Sequence, residues 1–376
     1  MMRIGIFGGG QLAQMLTQAA IGLGLETVIF ERSPDSPAAR LTQHTVVGPW
    51  ANQQALASFA AQCDLVTLES EFVDASILVH LAAQNTIIFP SPTTVALVQD
   101  KLVQKERLAA AGLAVTPCCA VSSLTEALAA AETYGWPIML KARRDGYDGY
   151  GNATLRSSAD LDTAWARLSS GGRALMIEAF VPFERELAIM VVRGRAGQIR
   201  TYPLVETVQR EHICHIVRAP AQVPPGIEIT ATALAVAAVE AVEGVGVFGV
   251  ELFLLTGERV LINELAPRPH NSGHYTIEAC VTSQFENHLR AVLGWPLGAT
   301  TLRAPAAAMV NILGQYDGLA PSAPAQAALA VEGAHIHLYG KREVRRGRKM
   351  GHVTALGASV AEAEAIAMCA AELVEL

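Results

Sequence analysis

Two glutamates near the middle of the chain, Glu251 and Glu264, have the type and spacing of a metal site. The apolar runs 247–255 and 260–264 each predict a strand, and the turn residues Thr-Gly-Glu-Arg lie between them at 256–259. Glycine at the first central position suits a two-residue type II′ hairpin turn. That turn places Glu251 directly opposite Glu264, and a symmetric four-residue loop gives the same pairing.

Carboxylates that face each other on a sheet repel, because their Cβ atoms are only about 4.5–5.5 Å apart. The neighbours of Glu251 and Glu264 are apolar, so one of the two must be protonated or a cation must bridge them. Asn263 adds another oxygen beside Glu264. A few hard oxygen ligands suit magnesium that is held jointly with phosphate. The alternatives are a register shifted by one residue, or two side chains that both reach solvent.

Lys141 ends an apolar segment, residues 137–141, that predicts a strand. An unpaired ammonium group is costly in such a place. The segment is followed by a polar loop with three glycines within residues 146–151, whose amides can turn toward an anion. Lysine and loop together predict a phosphate site, although the pattern is not a Walker motif. The alternative is a solvated hairpin loop.

The segment 178–181 (Glu-Ala-Phe-Val) follows the next predicted strand, residues 174–178. An apolar chain with accessible backbone amide and carbonyl groups is what the edge of an adenine ring requires. Glu186 could bind ribose hydroxyls eight residues later. The alternative is that these are ordinary structural residues.

A glycine turn, Gly8-Gly9-Gly10, lies between a predicted strand at 3–7 and a predicted helix at 11–23. With Glu31 about twenty residues later, it loosely fits the dinucleotide fingerprint, but Ala13 takes the place of the third glycine. NAD binding is therefore an alternative. We predict instead that the helix N-terminus receives an anion of some kind.

The surrounding elements follow an order that predicts an α/β protein. Short apolar strands alternate with helices through the first hundred residues, which favours a parallel sheet. A new strand and helix region runs from about 115 to 185, with a single helix predicted before it at 95–112. From residue 186 onward the strands suggest a larger antiparallel sheet, and the last seventy residues add a further strand at 334–339.

Composition excludes several classes of protein. The chain has 376 residues, of which 51% are hydrophobic and 17% charged, so it can bury a large core and is not disordered. The net charge of -7 speaks against a nucleic-acid partner. The most apolar stretch carries three glutamates, which argues against a membrane span. Because there is no signal peptide and the six cysteines are scattered, we expect free thiols and a cytoplasmic location.

Taken together, these features resemble the ATP-grasp superfamily and, within it, the 5-(carboxyamino)imidazole ribonucleotide synthase family of purine biosynthesis. The resemblance covers essentially the whole chain, and its motifs occur in the family's order. They are GIFGGGQLAQML at 5–16, TLESEFV at 67–73, DKLVQKERL at 100–108, LKARRDGYDGYGN at 140–152, EAFVPFEREL at 178–187, INELAPRPHNSGHYT at 262–276 and YGKREVRRGRKMGHV at 339–353.

The resemblance implies three domains: a Rossmann-like domain at 1–98, a small α+β lid domain at 99–185, and a larger antiparallel-sheet domain at 186–376 with a terminal strand region from about 303. It also implies a ligase that uses ATP and Mg²⁺ to join bicarbonate, through carboxyphosphate, to 5-aminoimidazole ribonucleotide, releasing ADP and phosphate. A homodimer is implied as well, with small-molecule substrates and neither membrane nor nucleic acid.

The same resemblance implies roles for individual residues. Glu251 and Glu264 would bind magnesium, and Lys141 would also serve in catalysis with Arg268 and Asn271. The implied ATP residues are Lys101, Lys141, Gly146, Tyr147, Asp148, Gly149, Tyr150, Gly151, Asn152, Glu178, Ala179, Phe180, Val181, Glu186, Gln209, Asn263 and Glu264. The implied ribonucleotide residues are Gln11, Leu12, Glu71, His270, Ser272, Lys341, Arg345 and Arg348, the last three as a basic cluster for its phosphate.

The chain departs from the family pattern at three positions. Gln209 replaces a family histidine near the ATP site and cannot carry its charge, Ala179 stands where glutamine is common, and Asp145 adds negative charge beside the lid. The rival interpretations are another ATP-grasp ligase, such as a formate-dependent glycinamide ribonucleotide transformylase or a biotin carboxylase, and a non-catalytic nucleotide-binding module. The lysines and paired glutamates argue against the second.

Overall fold

The computed structural model describes residues 1–146 and 151–376, so the predicted loop residues Tyr147, Asp148, Gly149 and Tyr150 lie outside the described residues. The chain begins with a parallel sheet in the strand order β3-β2-β1-β4, which confirms the prediction from alternating strands and helices. Its elements are β1 (Arg3–Phe7), α1 (Gln11–Gly22), β2 (Glu26–Glu31), β3 (His44–Val47), α2 (Gln53–Ala60), β4 (Leu65–Leu68) and α3 (Ala75–Ala83).

A small antiparallel sheet with the order β5-β8-β6-β7 follows, flanked by helices. The elements of this region are α4 (Pro92–Gln99), α5 (Lys101–Ala110), β5 (Cys118–Val121), α6 (Leu124–Tyr134), β6 (Ile138–Ala142), β7 (Asn152–Leu155), α7 (Leu161–Leu168) and β8 (Leu175–Ala179). Lys141 and Glu178 lie on its neighbouring strands β6 and β8, where their side chains can meet.

The rest of the chain builds a large antiparallel sheet, in the order β14-β13-β9-β11-β12-β15-β19-β17 with β10 paired to β9. The terminal strands continue this sheet through the β12–β15 pairing. The elements are β9 (Phe183–Arg193), β10 (Ile199–Thr201), β11 (Val205–Arg210), β12 (Ile213–Ala219), α8 (Pro225–Ala241), β13 (Gly246–Leu255), β14 (Arg259–Ala266), α9 (Thr276–Ala279), α10 (Gln284–Leu293), β15 (Ala306–Leu313), β16 (Gly318–Leu319), β17 (Ala334–Leu338), β18 (Glu343–Val344), β19 (Lys349–Gly357) and α11 (Val360–Glu372).

The single helix predicted at 95–112 is wrong, because Asp100 divides it into α4 and α5. Asp100 has an extended backbone, and its carboxylate accepts hydrogen bonds from the N–H groups of Leu102 and Val103. A carboxylate in this position is a helix N-cap, so it starts a new helix instead of continuing the old one. Lys101 therefore lies at the first position of α5.

The apolar segment 87–90 adds only a bridge to the N-terminal sheet, in which Ile88 pairs with Val66 in parallel.

A buried histidine joins the N-terminal sheet to the large sheet. The Nε2 atom of His288 lies 2.7 Å from the hydroxyl of Thr67 on β4, and its Nδ1 accepts the Val247 N–H at 3.0 Å. Because Nδ1 is the acceptor, the ring proton lies on Nε2 and points to Thr67. Within the described residues, no helix is long and apolar enough to cross a membrane.

Candidate active site

Strands β13 and β14 place Glu251 directly opposite Glu264, as predicted from the sequence. The predicted two-residue turn, however, is wrong. Leu255 pairs with Arg259, so the loop has three residues, and both Gly257 and the residue after it have positive φ. A type II′ turn has positive φ at its first central residue alone.

A β-bulge at Asn263 restores the register that the longer loop would have shifted. Leu252 pairs with Ile262, while the next pair toward the site is Glu251 with Glu264, so Asn263 is the extra residue. Bulges re-aim side chains and are frequent beside active sites. The pairing of the two carboxylates therefore depends on this bulge as much as on the turn.

The two facing carboxylates have different protonation tendencies. Burial raises the pKa of Glu251, and repulsion from Glu264 and Glu186 raises it further. Burial acts in the same direction on Glu264, but Lys101, supported by two other lysines, outweighs it and lowers the pKa of Glu264. The site thus favours one ionised carboxylate and disfavours a second ionised carboxylate. A cation would be strongly stabilised at such a pair.

The oxygen atoms around this pair fit a magnesium ion. The amide nitrogen of Asn263 donates to Glu251 at 3.3 Å, and its buried Oδ1 has no hydrogen-bond partner among the described residues. In residues 1–146 and 151–376, no cluster of three or more His, Cys, Asp or Glu side chains could hold a metal. Two carboxylates and one amide oxygen leave further positions for phosphate and water, as magnesium prefers.

Lys101 reaches this pair from the start of α5, where its ammonium group contacts the carboxylate of Glu264. Its backbone N–H donates to the carbonyl of Arg143 at 2.9 Å. Arg143 in turn binds the N-cap Asp100 through two hydrogen bonds, of 2.9 and 2.7 Å. The residue that follows strand β6 therefore fixes the position of Lys101.

Lys141 contacts Glu178 across the small sheet, with Nζ 2.6 Å from Oε2. Glu178 is 2% exposed, and its other oxygen lies 3.3 Å from Nζ of Lys105, a residue that we did not predict. Burial acts to raise the pKa of Glu178, but Lys141 and Lys105 outweigh it and lower the pKa. The carboxylate of Glu178 is thus ionised and held between two lysines.

These residues line one continuous cleft. Most of the predicted ATP residues contribute to it: Lys101, Lys141, Gly146, Asn152, Glu178, Ala179, Phe180, Val181, Glu186, Gln209, Asn263 and Glu264, together with the predicted metal and catalytic residues Glu251 and Asn271. The cleft is also lined by residues that we did not predict: Met139, Thr154, Phe183, His212, Cys214, Phe253 and Lys349. Phe183 and Phe253 stack face to face, with ring centroids 4.6 Å apart.

The base of the predicted lid narrows where Gly146 and Gly151 meet. Gly151 has φ +97°, and a side chain there would place Cβ 3.0 Å from the Cα of Gly146. Its carbonyl accepts the N–H of Ala142 at 2.8 Å, which ties the end of the loop to β6. Glycine is required at position 151 both for its backbone angle and for this close approach.

Glu186 and Gln209 face each other at another side of the cleft. Burial raises the pKa of Glu186, and a hydrogen bond from the side chain of Gln209 opposes that rise. Gln209 lies at a register shift between β11 and β12. A neutral amide at this position thus supports the carboxylate without adding a charge.

A second cleft adjoins the first and contains the pair Glu71 and Arg268. Arg268 holds Glu71 through two parallel contacts, and the Nη2–Oε1 distance is 2.6 Å. Four residues line both clefts: Lys101, Gly146, Glu264 and His270. Glu264 and Lys101 therefore lie at the junction of the two clefts.

Asn271 is held by a residue from the terminal part of the chain. The two side-chain amides of Asn271 and Asn311 donate to each other at 2.9 and 2.7 Å. His270 lies beside them, with Nδ1 2.8 Å from the hydroxyl of the buried Ser272. Burial lowers the pKa of His270 to about 3, and Arg268 and Lys349 add to the shift, so the ring is neutral at neutral pH.

The helix N-terminus after the glycine turn binds anions, but these belong to the chain itself. The carboxylate of Glu69 accepts the N–H of Gly10 at 3.0 Å and that of Ala13 at 3.3 Å, and Glu31 accepts the N–H of Gly9 at 2.8 Å.

Of the predicted ribonucleotide residues on this helix, Gln11 is half-buried and Leu12 packs in the apolar core. A ligand here would therefore contact Gln11 or the backbone, and not the side chain of Leu12.

The three predicted phosphate residues near the C-terminus are spread along the loop between β17 and β19. The ammonium group of Lys341 donates to the carbonyl of Lys349 at 2.6 Å, and Arg348 donates to the carbonyl of Glu343 at 3.1 Å. Arg345 is exposed and pairs with the side chain of Glu343. Neither cleft, as far as the described residues define it, is lined by Lys341, Arg345 or Arg348.

Three of the residues that escaped prediction differ in whether the sequence held a signal for them. Lys105 follows Lys101 by four residues, so both lie on one face of α5, a spacing that could have revealed it. Lys349 belongs to the basic run that we assigned to phosphate binding, next to Arg348. Asn311 stands in an apolar strand, and nothing near it in sequence connects it to Asn271.

Comparisons with known proteins cover most of the chain. Three family descriptions match it in order: a ribonucleotide synthetase preATP-grasp domain at residues 1–99, an ATP-grasp domain at 106–285, and a phosphoribosylaminoimidazole carboxylase C-terminal domain at 307–366.

Two curated relatives and one solved structure are similar over nearly all of the chain. The N5-carboxyaminoimidazole ribonucleotide synthase of Synechococcus elongatus is 43% identical over 93% of this chain and 88% of its own length. The phosphoribosylaminoimidazole carboxylase of Ogataea methanolica is 43% identical over 96% of this chain, which spans about two thirds (67%) of that relative. The structure of N5-carboxyaminoimidazole synthase from Aspergillus clavatus in complex with ADP and 5-aminoimidazole ribonucleotide has a TM-score of 0.90 at 37% identity, covering 99% of this chain and 98% of that one.

Proposed function

The chain belongs to the N5-carboxyaminoimidazole ribonucleotide synthase family of ATP-grasp enzymes, and we propose from this membership and from the site that it carboxylates 5-aminoimidazole ribonucleotide. ATP, bicarbonate and the ribonucleotide would give N5-carboxyaminoimidazole ribonucleotide, ADP and phosphate, a step of purine biosynthesis. The match of residues 307–366 to a phosphoribosylaminoimidazole carboxylase domain supports this acceptor over those of the rival ATP-grasp ligases.

One observation carries the proposal: Lys101 and Glu264 lie where the two clefts meet. A reaction that passes an activated group from a nucleotide to an acceptor needs both molecules to meet at one point. The cleft with the apolar segment 179–181 and the stacked phenylalanines suits the nucleotide. The cleft with Glu71 and Arg268 suits the acceptor.

The chemistry proceeds in two steps. A bicarbonate oxygen attacks the γ-phosphorus of ATP, the bond to the ADP oxygen breaks, and carboxyphosphate forms. The bond from the carboxyl carbon to the phosphate oxygen then breaks, either with release of carbon dioxide or on direct attack by the amine. The exocyclic amine of the ribonucleotide bonds to that carbon and loses a proton, and phosphate leaves. Phosphoryl transfer requires mainly positioning and charge neutralisation, which Lys101 and Lys141 supply.

Magnesium would be held by Glu251, Glu264 and the amide oxygen of Asn263. When bound, it would neutralise charge between the phosphate oxygens. Lys101 pairs with Glu264 in the structure, so its ammonium group is already at the position from which it can turn to phosphate.

Adenine and ribose contacts follow from the lining of the first cleft. The side chain of Glu178 is engaged by two lysines, and the N–H of Ala179 donates to Pro117 at 2.9 Å. We therefore assign the adenine edge mainly to the backbone at Phe180 and Val181. Glu186, supported by Gln209, would bind ribose hydroxyls.

The lid would exclude water from carboxyphosphate, which hydrolyses readily. Its assigned residues run from Gly146 to Asn152, of which Gly146, Gly151 and Asn152 are among the described residues, and the first two of these lie close together. Asp145 lines the second cleft and adds a negative charge beside the lid.

The acceptor would be bound by Glu71, with Arg268 and Asn271 near the transferred group. Ser272 and His270 lie beside them, and the neutral ring of His270 suits hydrogen bonding better than proton donation. Lys341, Arg345 and Arg348 remain our assignment for the ribonucleotide phosphate, with Gln11 and the backbone of Leu12 as further ribonucleotide contacts. The three-domain division at residues 98 and 185, a homodimer and a cytoplasmic location also remain predictions.

The test is ADP release by the full chain with each component omitted in turn. We expect release to require ATP, bicarbonate, Mg²⁺ and 5-aminoimidazole ribonucleotide, and labelled bicarbonate to appear in the ribonucleotide product. Equal ADP release with glycinamide ribonucleotide and formate, or with biotin, would assign the chain to a rival ligase.

A further inference from the structure

Helix α5 holds the backbone on both sides of the metal glutamate Glu264. The side chain of Gln104 accepts the N–H of Leu265 at 2.8 Å and donates to its carbonyl at 3.1 Å. The next residue, Lys105, donates to the carbonyl of Asn263 at 2.8 Å. The residues immediately before and after Glu264 are therefore both fixed to the same helix.

The bond from Lys105 acts on the β-bulge itself. Asn263 is the extra residue that puts Glu251 opposite Glu264, and a partly buried carbonyl at a bulge needs a donor from outside the ladder. Lys105 is 2% exposed, so water does not replace it easily. Its ammonium group is the donor that this backbone conformation requires.

The same ammonium group also orients Glu178. It lies 3.3 Å from Oε1 of that carboxylate, while Lys141 takes Oε2 at 2.6 Å. From behind the cleft, Lys105 thus contacts β14, the strand that carries Glu264. It also contacts Glu178, the partner of Lys141.

We propose that Lys105 is a positioning residue, which holds the bulge of β14 so that Glu251 and Glu264 converge on one divalent ion. The proposal rests on the proposed function, because that function assigns magnesium to the two glutamates. As far as the described residues define the two clefts, Lys105 lines neither of them. Removal of the Lys105 side chain should weaken binding of the divalent ion more than binding of the ribonucleotide.

The experiment compares Lys105→Met with a matched control, Arg107→Met, in the full chain. Arg107 lies on the same helix, is exposed, and also donates to a backbone carbonyl at 2.8 Å, that of Ala241. Binding of Mn²⁺ in the presence of ADP is followed by electron paramagnetic resonance. Loss of a group that orients metal ligands typically weakens metal affinity about 10- to 100-fold.

We expect the Mn²⁺ dissociation constant to rise at least about tenfold in Lys105→Met and to stay within about twofold in Arg107→Met. The Michaelis constant for the ribonucleotide should stay within about threefold in both. An unchanged Mn²⁺ constant in folded Lys105→Met overturns the proposal. So does an equal rise in both variants.

If Lys105→Met does not fold, Lys105→Gln provides the same test. The glutamine side chain is polar, but it is too short to replace the ammonium group. A Mn²⁺ constant equal to that of the unmodified chain would again overturn the proposal. Product formation by the unmodified chain tests the proposed reaction separately, since Mn²⁺ binding with ADP does not depend on which acceptor is used.

Discussion

The pair Glu71–Arg268 offers a sharp test of how the second cleft is built. The two residues are 197 positions apart in sequence, and their side chains are 21% and 17% exposed. Arg268→Met removes the guanidinium group but keeps an apolar stem of similar shape. The carboxylate of Glu71 would then be left buried without its partner.

Breaking a buried ion pair in this way typically costs about 3–5 kcal/mol. Because both side chains keep some exposure, we expect the lower end, about 3 kcal/mol, in the free energy of unfolding at pH 7. This is a large share of the roughly 5–15 kcal/mol that stabilises a typical protein. In the double variant Glu71→Gln/Arg268→Met, the decrease in the free energy of unfolding should be smaller than the sum of the decreases in the two single variants, by about 1–3 kcal/mol.

The pH dependence distinguishes a lost ion pair from lost packing. Burial acts to raise the pKa of Glu71 from its ordinary value of 4.5, but Arg268 outweighs burial and lowers it. A lowered carboxyl pKa stabilises the folded state above the ordinary pKa, and that contribution disappears as the pH falls through the lowered value. In Arg268→Met the raising effect of burial is no longer opposed, so we expect Glu71 to take up its proton in the folded variant above pH 4.5. The cost of Arg268→Met should therefore shrink between about pH 7 and pH 4.

Urea unfolding at several pH values, followed by tryptophan fluorescence and circular dichroism, measures this cost. Arg290→Met is a control, because Arg290 forms a more exposed pair with Glu286, one helical turn away. A cost that stays constant down to pH 4, or strict additivity in the double variant, would refute the ion-pair reasoning and point to packing alone.

Two further predictions concern activity. Glu264→Gln should abolish ATP turnover while the protein stays folded, because one of the two metal carboxylates is lost; Glu258→Gln, in the exposed hairpin loop, is the control. Unchanged ADP release in Glu264→Gln would remove this residue from the metal site. Arg348→Ala should raise the Michaelis constant for the ribonucleotide more than that for ATP, whereas the exposed Arg346→Ala should change neither. The opposite ranking in steady-state kinetics would contradict the assignment of the basic cluster to the acceptor.

The fate of the glycine turn shows how a motif can be interpreted too literally. Its spacing suggested a dinucleotide site, and the anion-binding helix N-terminus is present. The anion, however, is Glu69, which follows the neighbouring strand β4 and lies more than fifty residues away in sequence. Pattern reasoning predicts that such amides need an acceptor, but the fold determines which one they receive.

The glutamate pair shows two local errors that cancel. The predicted loop was one residue too short, and the bulge at Asn263 was not foreseen. The pairing of Glu251 with Glu264 was nevertheless right, because the bulge at Asn263 compensates for the one residue by which the loop shifts the register.

The sequence by itself determined most of the strands, the order of the sheets, the paired glutamates and the place of Lys141 on an apolar strand, because periodicity and turn chemistry act between near neighbours. Tertiary structure decided what supports them. Lys105 meets the carbonyl of Asn263 across 158 residues, and Asn271 meets Asn311 across 40. No local pattern encodes such contacts, because a buried donor is placed by the packing of whole helices and strands.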